Sequence, residues 1–269
     1  MPMELSIRRF GTLQRQMVGL LQTPQAGKSL RAAWLMCRPF GQEAVRTAPI
    51  FRAMSDRLAR EGCSVLTFDH HGCGDSPGEL DEQSIADWTV DTLAAHARLC
   101  SDAPGRAVHW FAMGLGANIA AGAALQAQHA PACLVLWEPV VDGPGYLNRL
   151  MDVHREELAR EMGLEWHQMI SRGREVEPEL PGSVLGFTVG PRLHTELRQL
   201  GELPLAPLFE RGVTVRLAVQ EEHLPRFASV SDVRFVSQRV ENATNWMSTE
   251  AFGTAIVPQD VARTLLATF

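Results

Sequence analysis

Residues 107–118 read Ala-Val-His-Trp-Phe-Ala-Met-Gly-Leu-Gly-Ala-Asn. An apolar run, Ala107–Phe111, is broken at Gly114 and Gly116 and gives way to Leu115–Gln128, rich in alanine and glycine. Small side chains let a helix lie close against a sheet, so this reads as strand, sharp turn, helix. The same alternation extends both ways. Upstream, Ala32–Cys37 and Ser64–Phe68 are near-continuous apolar runs, as in strands buried on both faces. Between them Ile50, Phe51, Met54 and Leu58 recur at helical spacing within Ala48–Glu61, and Gly62 stops that helix. Ser84–Leu99 is a second helix, with Ser84 as N-cap and Asp87 three residues on. Downstream, Cys133–Trp137 is a further strand. Strands and helices in alternation imply a parallel sheet wound by right-handed crossovers.

The ends and the middle depart from this pattern. Leu5 and Ile7 alternate with Glu4, Ser6 and Arg8, and an extended pattern resumes from Gln14 to Leu21, which predicts an N-terminal antiparallel hairpin. From Asp142 to Glu210 the alternation lapses into a charged amphipathic helix (Met151–Met162), a Pro/Gly-rich loop (Pro178–Gly190) and a helix near Leu193–Leu200. The core resumes with Val213–Val219, Val233–Val236 and a last helix, Val261–Ala267. The expected organisation is a core of residues 1–141 and 211–269 carrying a lid at 142–210.

Composition narrows the function. A net charge of −6, with no Lys/Arg-rich run, argues against a nucleic-acid or membrane-surface binder. No apolar run is long enough to span a bilayer, and Met1–Phe10 lacks the apolar stretch of a signal peptide. Five cysteines at irregular spacing make no disulfide framework and no CxxC pair, which points to a reducing, cytoplasmic compartment. Neither a metal site nor a cofactor is expected.

Three signatures follow in order. Cys37-Arg38-Pro39-Phe40-Gly41-Gln42-Glu43 stands at the end of the first buried parallel strand, Asp69-His70-His71-Gly72-Cys73-Gly74-Asp75-Ser76-Pro77-Gly78 after the next, and the 111–116 turn after the third. Together they resemble the α/β-hydrolase fold, in which the first loop supplies an oxyanion-hole amide and the third is the nucleophile elbow. Beyond the fold, RPFGQEAVRTA, FDHHGCGDSPGEL, AMGLGA, LVLWEPVVDGPGYLNRL, VLGFTVGPRLHTELRQL and NWMSTEAF are similar to the exosortase A system-associated hydrolase 2 family, which is serine aminopeptidase S33-like. The resemblance implies an exopolysaccharide and protein-sorting context, and an elbow that tends to lack its serine.

The chemistry expected of the fold is missing here. Aligning Ala112 and Gly116 with the elbow's small positions puts Gly114 at the tip, and from Trp110 to Ala117 there is no Ser, Cys, Thr or Asp. A triad acid should follow a late strand and a histidine the last one, yet all nine histidines lie at or before His223. The sequence therefore predicts a non-catalytic or accessory protein. The alternative is a hydrolase of esters or thioesters in which Glu138, Glu221 or Glu222 with His223 activates water, while amides near Phe40 and Leu115 hold the oxyanion. Each candidate carries a plainer reading. Glu138, ending its strand, is a pocket base or a backbone anchor; His223 replaces the absent histidine or sits on the surface. Arg38 binds an anion or pairs with Glu138 or Glu43. Met113 and Leu115 flank the tip, and Trp246 plugs the emptied site or stacks on a sugar. Cys73 and the 69–78 turn read as structural. The partners in view are an ester, thioester or saccharide ligand in the pocket, or a protein docked on the lid.

Overall fold

The computed structural model describes residues 4–24, 30–163, 165–171, 182–241, 244–247 and 258–266. Eight strands form one sheet: β1 (Glu4–Gly11), β2 (Gln16–Thr23), β3 (Ala33–Cys37), β4 (Ser64–Asp69), β5 (Val108–Met113), β6 (Cys133–Trp137), β9 (Thr214–Val219) and β10 (Phe235–Arg239). Their order is β1-β2-β4-β3-β5-β6-β9-β10. β1 and β2 pair antiparallel, β2 joins β4 antiparallel, and every later pairing is parallel. The expected hairpin on a wound parallel sheet is the observed one.

Burial on both faces explains the central strands. β3 and β6 expose no residue, as helices cover each side. On one face α2 (Ile85–Asp102), α3 (Leu115–Gln126) and α7 (Leu205–Glu210) pack Leu99, Ala120 and Leu208 against Leu35, Trp110 and Leu134. On the other, α1 (Gly41–Arg60) and α8 (Gln259–Leu266) pack Ile50, Phe51, Met54 and Val261 against Trp34, Phe111 and Val135. Ser84 caps α2, its hydroxyl accepting from the Asp87 N–H at 3.1 Å. α1 begins seven residues before the sequence pattern suggested and carries Pro49 inside it. Proline releases the carbonyl four residues back, here that of Val45, and both residues are exposed, so water can take that carbonyl.

The 142–210 stretch divides. α4 (Gly143–Met162), α5 (Trp166–Ser171), a small hairpin of β7 (Ser183–Val184) and β8 (Phe187–Thr188), and α6 (Pro191–Arg198) lie outside the sheet. Tyr146, Leu147, Leu150, Val184, Leu193 and Leu197 form a third cluster with Phe40, Leu115 and Val140, residues that follow the carboxyl ends of β3, β5 and β6. α7, in the same stretch, belongs to the core instead. It was missed in the sequence because six residues show too little periodicity. No described helix is long and apolar enough to cross a membrane.

Candidate functional site

The turn after β5 keeps the elbow's shape without its reactive atom. Gly114 has φ 56° and ψ −133°, donates its N–H to the Trp137 carbonyl at 2.9 Å and accepts from Ala117 N–H at 3.0 Å. Any side chain here is strained, which serine enzymes accept in order to expose an oxygen. Gly116 is dictated by packing, since a Cβ there would collide with the Arg38 carbonyl. A Cβ on Gly114 would stand 3.0 Å from Pro39 Cβ and 3.4 Å from Glu43 Oε2. A carboxyl group thus occupies the space beside the position a nucleophile would project from.

Above this tip is a cleft of about 340 Å³ lined by Glu43, Gly114, Glu138, Tyr146, Arg149 and His223 among others. Glu43 stands in the first turn of α1 and accepts a hydrogen bond from the Tyr146 hydroxyl at 3.1 Å. Burial pushes its carboxyl up to about 7, against the opposing pull of Tyr146 and Arg149. Glu138 directly follows β6 in a left-handed conformation, φ 47°, rare for a residue with a side chain and of the kind stored at functional sites. Burial lifts its carboxyl to about 8; a hydrogen bond from the Gln220 backbone and the charge of Arg149 oppose the rise, while Glu222 and Glu43 add to it.

His223, on the 3-10 turn Glu221–Phe227 after β9, places Nδ1 3.6 Å from Glu138 Oε2. Burial, with the charges of Arg149 and Arg226, lowers the imidazole's pKa against the pull of Glu222. Burial thus disfavours the charged form of both partners, raising the Glu138 carboxyl and lowering the His223 imidazole. Glu138 Oε1 and His223 Nδ1 are buried without a hydrogen-bond partner.

The structure gathers Met113, Glu138, His223 and Trp246 around the cleft. Trp246 is also core, edge-on to Trp137 with ring centroids 5.8 Å apart. The other candidates lie elsewhere. Glu221 is exposed and bonded to Arg239 at 2.9 Å, because the turn that brings His223 inward directs its first residue out. Arg38 pairs with Asp69, the acid ending the neighbouring strand, and not with Glu138 or Glu43. Phe40 packs against Trp88 and Phe187, and Leu115 is fully buried in the same cluster. Neither side chain lines the cleft.

The 69–78 turn is structural: Ser76 Oγ donates to the Asp69 carbonyl at 2.6 Å and accepts from Val18 N–H at 2.8 Å. Burial pushes the Cys73 thiol up to about 12, so it is not a poised thiolate. His70 and His71 diverge, toward Asp91 and the Gln16 carbonyl respectively. Among the described residues no group of His, Cys, Asp and Glu could hold a metal ion. Sequence reasoning passed over Glu43, Tyr146 and Arg149. The available signal was the Glu in RPFGQE, which two more turns of helix at the start of α1 carry to the elbow.

The family model described as serine aminopeptidase, S33, matches residues 40–178, just over half of the chain and including the elbow. The chain belongs to this family. No curated protein matches it in sequence. Among solved structures, a hypothetical protein from Pseudomonas aeruginosa superposes with a TM-score of 0.62 at 13% identity, covering 99% of this chain and 94% of that one. Est1E of Butyrivibrio proteoclasticus, solved with ferulic acid bound, gives 0.61 at 14%, covering 97% and 98%. Proline iminopeptidase of Mycobacterium smegmatis gives 0.56 at 15%, covering 98% and 100%. At these identities the likeness establishes the α/β-hydrolase fold of this S33-family member and nothing finer.

Proposed function

We propose that this S33-family chain is a binding or accessory protein, without serine-hydrolase chemistry, whose ligand site is the cleft over Gly114. The carrying observation is the elbow itself: tip geometry intact, no hydroxyl or thiol, and the Glu43 carboxyl, held by Tyr146, beside the tip. The sequence resemblance to exosortase A system-associated proteins supports a role in exopolysaccharide and protein sorting, with a saccharide, ester or thioester as the small ligand. Helices α4 to α6 act as the lid over the carboxyl ends of the strands and offer a face for a protein partner. Five cysteines at irregular spacing, with no CxxC pair, support a reducing, cytoplasmic location. The test is intact-mass analysis after exposure to a fluorophosphonate probe: no adduct is expected, and stoichiometric labelling at any side chain around the elbow refutes the reading.

One observation favours a second reading, the water-activating hydrolase. Strained Glu138 beside His223, both with orphaned polar atoms, is a pair that could relay a proton. Turnover of short p-nitrophenyl esters that is lost in both Glu138→Gln and His223→Ala supports it; no turnover above the buffer rate leaves the first reading standing.

A further inference from the structure

We infer that β1, a free edge of the sheet, is a dimer interface: it pairs antiparallel with β1 of a second copy of this chain, about a two-fold axis at Ser6. β1 stands last in the strand order, with β2 on one side only. Its eight residues pair with β2 without a bulge, and it holds no proline or lysine, the usual guards of an exposed edge. The turn fixes which backbone groups face outward. Thr12 and Arg15 exchange both backbone bonds, at 3.1 and 3.2 Å. Bonded and non-bonded pairs alternate along an antiparallel ladder, so Phe10–Met17, Arg8–Gly19 and Ser6–Leu21 are bonded in the same way. Leu5, Ile7 and Arg9 therefore turn their N–H and C=O groups away from β2. Val18, opposite Arg9, obeys the same parity: its N–H goes to Ser76, which is bonded to Asp69 of β4, and not to β1.

The side chains fit a second copy. Leu5 is 57% exposed and Ile7 69%, and Leu20, directly opposite Ile7 on β2, is 38% exposed. Three apolar side chains thus line the edge on one face. Outward-facing backbone groups must meet their like, so odd residues oppose odd residues and few registers remain. Centred on Ser6, Leu5 of each copy meets Ile7 of the other, Glu4 meets Arg8, and Ser6 meets Ser6. Centred on Ile7, the register sets Leu5 against Arg9 and Glu4 against Phe10; centred on Arg8, it opposes two arginines. Of these, the Ser6 register joins apolar to apolar and acid to base. Glu4 is exposed, and Arg8, held through Nε by Asp102 at 3.2 Å, keeps Nη1 at the edge, 3.4 Å from the Ile7 carbonyl. That nitrogen can turn to the other copy's Glu4 as the carbonyl takes a ladder bond.

Sedimentation equilibrium of the whole chain between about 5 and about 500 µM tests this, since a short edge pairing is a small interface and associates reversibly. The mean mass should climb from one chain toward two and stop there. Glu4→Arg and Arg8→Glu should each weaken the dimer about fivefold or more. Together they should restore it to within about twofold of the parent, because the swapped charges again meet across the axis. Ile7→Pro removes an N–H that β2 does not use, and should abolish dimerisation while the thermal midpoint moves little. Ser6→Cys lies on the axis at the closer, non-hydrogen-bonded spacing and should give a disulfide-linked dimer on mild oxidation. A monomer throughout, masses growing past two chains, a charge swap that does not rescue, Ile7→Pro that still dimerises, or no cross-link in Ser6→Cys overturns the inference. None of these residues lines the cleft over Gly114, so that failure would leave the fluorophosphonate result untouched.

Discussion

Two alanine substitutions around α3 should move stability in opposite directions, and the contrast tests the elbow's geometry directly. At Gly114 the backbone stands at φ 56°, where an L-residue is strained by roughly 1–3 kcal/mol. The added Cβ would also meet Pro39 Cβ at 3.0 Å, and Pro39 lies on the loop pinned under Gly116, which limits how far it can give. Against this, losing a glycine lowers the entropy of the unfolded chain, a gain of about 0.4–1 kcal/mol. The net for Gly114→Ala is a loss of about 2 kcal/mol, or ~6 °C in melting temperature for a domain of this size. Gly122 lies in the same helix, has ordinary helical backbone, and a Cβ there meets nothing within 4 Å. Gly122→Ala should therefore stabilise by about 0.5–1 kcal/mol, raising the midpoint by ~2 °C. Differential scanning calorimetry of both variants beside the parent reads the difference. Equal shifts, or a midpoint that rises in Gly114→Ala, would show that the turn does not hold the strained conformation and that the nucleophile's absence is not written into the backbone.

Other consequences are as open to measurement. Glu43 and Glu138 have folded-state pKa values raised to about 7 and about 8, so each favours the native state while protonated, and that stabilisation is lost as pH rises through those values. The urea midpoint should accordingly fall between about pH 5 and pH 8, and Glu43→Gln, neutral throughout, should flatten the slope and gain over the parent at the alkaline end; an unchanged slope would mean Glu43 is ionised in the fold. Asn118 Nδ2 donates to the Val140 carbonyl at 2.8 Å and its Oδ1 accepts from Val140 N–H at 2.9 Å, clamping the segment that carries Glu138. Asn118→Ala orphans both groups and should cost about 2–4 kcal/mol in denaturant unfolding; a loss below ~1 kcal/mol would mean water replaces the clamp. The fully buried side chain of Asp91 takes two bonds from Arg15, at 2.6 and 2.9 Å, and one from His71 N–H at 3.0 Å. Asp91→Ala should cost about 3 kcal/mol, near the low end for a broken buried pair because Arg15 keeps a path to solvent; a cost under ~1 kcal/mol would refute its role in holding the hairpin to α2.

The amino-acid order alone determined what depends on neighbours in sequence. Apolar runs such as Ala33–Cys37, too continuous for a half-exposed strand, announced a sheet covered on both faces, and the glycines at 114 and 116 announced a turn that no serine occupies. Both are local facts, legible because periodicity and backbone freedom act over a few residues. What the order could not supply is where side chains meet across the sheet. Arg38 turned to Asp69 and not to Glu138, since the two acids follow strands on opposite sides of β3 and the guanidinium reaches only one. Glu221 and His223, two residues apart, were parted by a 3-10 turn that aims one at solvent and the other at Glu138. Glu43, 71 residues ahead of Gly114 in the chain, came to stand beside it only because β3 and β5 are neighbours and α1 starts directly after the short loop that follows β3. Short-range pattern sets each element, but the protonation and pairing of a buried carboxyl are set by whatever the packed chain brings within a few ångströms of it.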